Sequence, residues 1–142
     1  MAYNNGVIYN LAAYLRIELP TYTFYINKRE PLAGQEFVPD ECVLLLDTGG
    51  DETGQYPFDY ATIQVLTKAI DAPTAKGMAN AIHNLLHMKW GLQFPAITVK
   101  GVVYPILITN HIQAIQPPSN IGTDENGLIE FSNNYQIYYT GK

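Results

Sequence analysis

Basic residues are scarce in this chain: eight Lys and Arg among 142 residues, against thirteen Asp and Glu. With a net charge of −5 and no basic stripe, it lacks the electrostatic footprint of a protein that grips nucleic acid. Cysteine is scarcer still. The single Cys42 stands inside the apolar run Cys42-Val43-Leu44-Leu45-Leu46, where a thiol reads as a small buried hydrophobe. One cysteine builds neither a disulfide framework nor a zinc site, and a reducing compartment fits. Long apolar runs are missing too. None reaches membrane-spanning length, and the opening Met1–Asn10 has neither the basic region nor the apolar core of a signal peptide. The expectation is a soluble, unsecreted protein with no membrane contact. Charged residues at 15% against 47% hydrophobic exclude a disordered chain, and 142 residues suffice for one domain, 1–142, with its own core.

What is abundant is tyrosine, with eleven copies. Tyrosine offers a large, half-apolar contact surface at low entropy cost, which suits protein interfaces and the cores of β proteins alike. The clearest pattern runs from Tyr60 to Gly91. Ala61, Ile63 and Val65 alternate with Thr62, Gln64 and Leu66, the period of a strand with one face more buried than the other. Asp71-Ala72-Pro73-Thr74 then supplies an N-cap and a proline tolerated in the first helical turn. Ala75, Met78, Ala79, Ile82, Leu85, Leu86 and Trp90 form one apolar stripe on a helix of about 17 residues, ended by Gly91. Lys76, Asn80, His83, Asn84 and His87 fall on its other face.

Around this unit, Val7, Ile8, Leu11, Ala12 and Leu15 share a face of an earlier helix that Pro20 ends. Thr21–Asn27 reads as a strand, Lys28–Asp40 as a loop and Glu41–Asp47 as a central apolar strand. Asp47–Pro57 has the glycines and acids of an exposed connection. Two apolar runs flank Lys100-Gly101, a tight hairpin, with Pro105 at an edge or bulge, and strand character continues to Ile115. Gln116–Gly127 reads as a long loop ending in the hairpin pair Asn126-Gly127, and Leu128–Tyr139 as a last strand. The order predicts an α+β fold: two helices packed on one face of a mostly antiparallel sheet, in two layers.

Three constellations resemble chemical sites. Leu46-Asp47-Thr48-Gly49 ends an apolar strand as the aspartic-protease signature does, and is the enzyme alternative. That chemistry needs a flap and a second apolar strand ending in glycine, on an almost wholly β fold; a strand running into a glycine turn explains the tripeptide without them. His83 and His87, four apart on a helix, have metal-ligand spacing, but Asn84 stands where a zincin has glutamate, and a third ligand would have to come from His111 or a distant acid. Solvent-facing histidines are the plainer expectation. Asp47, Asp51 and Glu52 lack the alternation and closing glutamate of an EF-hand loop. No glycine motif for phosphate and no nucleophile elbow around Ser119 or Ser132 is present. The sequence therefore predicts no catalytic residue, no metal and no cofactor.

The run Gln116-Pro117-Pro118-Ser119-Asn120-Ile121-Gly122-Thr123-Asp124-Glu125-Asn126-Gly127, followed by Glu130-Phe131-Ser132-Asn133-Asn134-Tyr135, resembles the tail-terminator and minor capsid proteins of long-tailed bacteriophages. In those proteins a proline-led loop with glycine, two acids and a closing glycine precedes a final strand with an Asn-aromatic pair. Pro118, Ile121, Gly122, Asp124, Glu125, Gly127, Asn134 and Tyr135 occupy those places, and Leu128 stands where the family often has arginine. The resemblance extends from the N-terminal helix to Tyr139. It implies a structural virion protein at the head-tail junction, assembled in the host cytoplasm. Such a protein forms a ring, usually of six copies, that caps the tail tube and ends its polymerisation. Its partners would be the tail tube protein and a head-completion or connector protein, with DNA sliding through the lumen without specific binding. A neck connector of the same class is the alternative. Docking is expected from the projecting segments Lys28–Asp40, Asp47–Pro57 and Gln116–Gly127, with Asp47, Asp51, Glu52, Pro118, Ile121, Asp124 and Glu125 as interface residues, the last two acids solvated at a loop tip.

Overall fold

The computed structural model describes residues 6–26, 30–31, 41–51, 59–124 and 127–139. Helix α1 (Val7–Glu18) stops short of Pro20, since the residue before a proline is pushed out of the helical region. Its predicted apolar face is buried throughout, and Asn10 is buried with it. The chain continues through β1 (Phe24–Ile26), β2 (Glu30–Pro31), β3 (Glu41–Asp51) and β4 (Asp59–Ala69) to helix α2 (Ala72–Leu86). Then follow β5 (Lys89–Trp90), β6 (Gln93–Phe94), β7 (Ile97–Val99), β8 (Val102–Tyr104), β9 (Leu107–Ala114), β10 (Ser119–Thr123) and β11 (Ile129–Tyr139).

Nine strands form one sheet along the path β2-β1-β3-β4-β11-β9-β5, with β10 on β11 and β6 on β9. All its pairs are antiparallel except β1 with β3. The centre is β4 against β11, matched residue for residue from Asp59–Tyr139 to Ala69–Ile129. Ala61, Ile63 and Val65 are buried on one face of β4, while Thr62, Gln64 and Leu66 are half-buried on the other. Both helices cover the first face. Leu11 and Leu15 of α1 and Met78, Ile82 and Leu86 of α2 join Phe24, Val43, Leu45, Ile63, Tyr135 and Ile137 in one core. The architecture is α+β with both helices on one face of a mostly antiparallel sheet. Cys42 is buried on the opposite face with Tyr25 and Leu44.

Four segments differ from the sequence expectation. Helix α2 starts where Asp71 predicts, its carboxylate accepting the Thr74 N–H at 2.8 Å, but ends at Leu86 rather than near Gly91. Met88 turns the chain with φ at 57°, and Lys89 and Trp90 gain backbone partners on β9, so Trp90 leaves the helical stripe for an exposed sheet position. Pairing outside the helix wins over local periodicity there. The Asp47–Pro57 connection is strand as far as Asp51, because β3 stays paired to β4 across a bulge between Asp47 and Gly50; residues 52–58 lie outside the described residues. Within Gln116–Gly127, Ser119–Thr123 is strand β10, which pairs with the stretch of β11 not occupied by β9. Backbone groups of β11 need partners, and β10 supplies them even with a polar, unpatterned sequence. In Lys28–Asp40, Glu30–Pro31 forms β2, and residues 28–29 and 32–40 lie outside the described residues.

Lys100 and Gly101, with φ at 50° and 83°, make the predicted tight turn between β7 and β8, a two-stranded hairpin separate from the main sheet.

Candidate functional site

Among the sequence-predicted docking residues, Asp47 is exposed on β3 at the bulge. The strand does not end at Asp-Thr-Gly: it continues in the sheet to Asp51, and the Thr48 hydroxyl donates to the Thr62 carbonyl at 2.8 Å. That engaged threonine ties the tripeptide into the β3–β4 ladder. Glu52 and Glu125, and the side chain of Asp51, lie outside the described residues. Pro118 is half-buried ahead of β10, and Ile121 is exposed at the β10 bulge, where the Asn120 carboxamide accepts the Gly122 N–H at 2.8 Å. Gly122 takes φ at 106°, which a side chain disfavours.

Asp124 is not a solvated tip. Its carboxylate meets Lys68 of β4 at 3.3 Å, and Lys68 meets Glu130 of β11 at the same distance, with side chains 8%, 8% and 15% exposed. The β4–β11 register sets Glu130 opposite Lys68, and a buried ammonium needs more than one acceptor. Asp124 also accepts the Leu128 N–H at 2.9 Å, and its backbone N–H donates to the Leu128 carbonyl. It therefore closes the β10–β11 turn and fastens it to the sheet. A partner 56 residues away in sequence gave no local sign of this role.

The two helix histidines are half-buried. Their rings stack at 4.7 Å over the helix-covered side of the sheet. The His87 Nδ1 accepts the Ala114 N–H at 3.1 Å, which puts its proton on Nε2. The His83 Nδ1 lies 3.3 Å from the Asn133 amide, which also donates to the Tyr135 hydroxyl. Burial, then the neighbouring His87, lowers the His83 pKa, and burial pushes the Tyr135 phenol well above its ordinary range. His111 stacks on Trp90 and Tyr138 on the opposite face, so the sheet separates it from the His83–His87 pair. Among the described residues no three His, Cys, Asp or Glu are grouped to hold a metal. No described helix is long and apolar enough to cross a membrane.

The helix-free face holds a feature that only the register reveals. Trp90, His111, Tyr138 and Tyr60 are successive cross-strand neighbours on β5, β9, β11 and β4. Their ring centroids are 4.1, 6.1 and 5.4 Å apart, an aromatic row crossing four strands. It opens at Trp90, which is 69% exposed. Val102 and Val103 of the β7–β8 hairpin and Ile108 of β9 are also exposed. One signal was present in the sequence and easily passed over: no Asp or Glu occurs between Asp71 and Asp124, a stretch with Lys76, Lys89 and Lys100. Residues 1–71 hold ten acids against four basic side chains. The acid-poor strands β5, β6 and β9 lie at one side of the sheet and the acid-bearing β3 towards the other.

The aromatic row thus lies opposite the two helices, and charge is divided between the sheet's two sides. No curated protein matches the chain. A family model described as bacteriophage tail terminator protein matches residues 38–140, a span that takes in β3 through β11 with α2 and leaves α1 outside. The chain belongs to the bacteriophage tail terminator family, structural proteins of the virion that work against other parts of the tail and head.

Proposed function

We propose that the protein assembles into a ring, of six copies, on the end of the finished tail tube. There it ends tube polymerisation and offers its free side to the head connector. The observation that supports this most is the asymmetry of the sheet within a tail terminator chain. One face is covered by α1 and α2, and the other carries an aromatic row across four strands that ends in exposed Trp90. A terminator needs one surface that receives the tube and another that does not propagate it. The sheet's rim supplies contacts beside that face: Asp47 and Asp51 on β3, Pro118 and Ile121 on the β10 arm, together with Glu52 and Glu125, which lie outside the described residues. Asp124 acts there as the residue that positions the arm. We assign no catalytic step to the chain, because the Asp-Thr-Gly tripeptide serves the β3–β4 ladder through Thr48. A net charge of −5 suits a channel through which DNA slides without sticking.

Size exclusion with light scattering, followed by negative-stain imaging, tests the reading. The expected result is a multimer seen as a ring with a central hole, in solution at high concentration or on tube ends. A protein that stays monomeric both in solution and on tail tubes contradicts it.

A further inference from the structure

Charge on this chain is sorted by position in the fold, and so is its exposed apolar surface. Between Asp71 and Asp124 there is no acid, and this block supplies α2, β5 to β9 and β10. Exposed Trp90, Val102, Val103, Ile106 and Ile108 belong to the same block. The β7–β8 hairpin within it stands apart from the main sheet, and Val102 and Val103, adjacent and therefore on opposite faces, are both exposed. Apolar side chains exposed on both of its faces are best satisfied by a partner.

Helix α1 runs from this side to the other. Its start packs on β6 and β8, where Tyr9 stacks on Tyr104 at 5.0 Å, and its end leads into β1. At that far side Glu18, Glu41 and Asp47 are exposed, with Ile17 as an apolar neighbour.

We propose that the acid-free side of one copy, centred on Trp90, Val103 and Lys89, docks against the acidic side of the next copy, centred on Glu41 and Asp47. This inference rests on the ring reading and adds which surfaces meet. A two-fold contact through either side would set like charges against each other, Lys89 against Lys89 or Asp47 against Asp47. A head-to-tail contact sets opposite charges together, and head-to-tail contacts are those that close into rings. The apolar centre supplies burial, while the charges fix which side accepts which.

Two charge-reversed variants test this, each first checked to melt near the wild-type temperature. The first is Lys89→Glu with Lys100→Glu, the second Glu41→Lys with Asp47→Lys. Each alone should lose the wild-type multimer, with self-association weakened on the order of tenfold or more. In an equimolar mixture every junction of an alternating ring is again complementary, and the wild-type mass should return. Val103→Asp should dissociate the multimer without rescue by either charge variant. If the wild type forms rings and the first variant alone forms them equally well, the ring stands and this interface is overturned. The same holds if each variant dissociates but the mixture stays dissociated. A wild type that is monomeric in solution and on tail tubes overturns the ring reading and this interface together.

Discussion

Lys68, Asp124 and Glu130 show how a single side chain changes meaning once its partners are known. In the sequence Asp124 is one of two acids beside a hairpin turn, and such charges are usually solvated. In the fold it shares Lys68 with Glu130 and closes the turn through Leu128. The sequence could not disclose this, because the contact depends on the register of β4 against β11. Replacing Lys68 by methionine leaves two nearly buried carboxylates without their cation, whereas Asp124→Ala leaves the cation with Glu130. Removing one partner of a buried pair typically costs about 3–5 kcal/mol, and Lys68→Met should lie in that range. Asp124→Ala should cost less, on the order of 1–3 kcal/mol, since one acceptor remains and one turn hydrogen bond is lost. Urea unfolding of the two variants checks the order. Two variants both within about 0.5 kcal/mol of wild type would place the triad among ordinary surface charges.

Among the elements, legibility followed how local the determinants are. The start of α2 was readable because Asp71 caps it from three residues away. Its end was not, because pairing of Lys89 and Trp90 with β9 overrides a continuing apolar period. Strand β10 had no pattern to read: Ser-Asn-Ile-Gly-Thr is exposed throughout and exists because β11 offers it an edge. The β7–β8 turn was readable, but its anchorage was not. Asn10, buried in α1, donates to the carbonyls of both Pro95 and Pro105 at 3.0 Å, tying the two ends of the hairpin to the helix. Tyr104 also packs so closely over Gly6 that a side chain there would run into its ring. Asn10→Ala leaves two carbonyls short of their donor and should destabilise the fold by about 1–3 kcal/mol. Hydrogen exchange should show the loss concentrated in residues 95–105 beyond the global change. Uniform loss across the sheet would mean that Asn10 supports the core and not the hairpin.

On the scale of the whole molecule, the two-layer α+β plan followed from two amphipathic helices and alternating strands that need a common core. Which sheet face lies opposite the helices, and that four aromatics line up across it, required the strand order. Tyr60, Trp90, His111 and Tyr138 share no spacing in the chain. The charge division was legible in principle, since the acid-free stretch from residue 72 to 123 can be read directly; its meaning came only when the sheet order separated β5 and β9 from β3. A ring that caps the tube must end the growth of a tail tube. The most direct measurement is the distribution of tube lengths, by electron microscopy, in lysates of the phage with this protein's gene disabled. Tubes running on well past the normal length, unjoined to heads, with purified protein restoring capped and joined tails, is the predicted result. Tubes of normal length already joined to heads would contradict it.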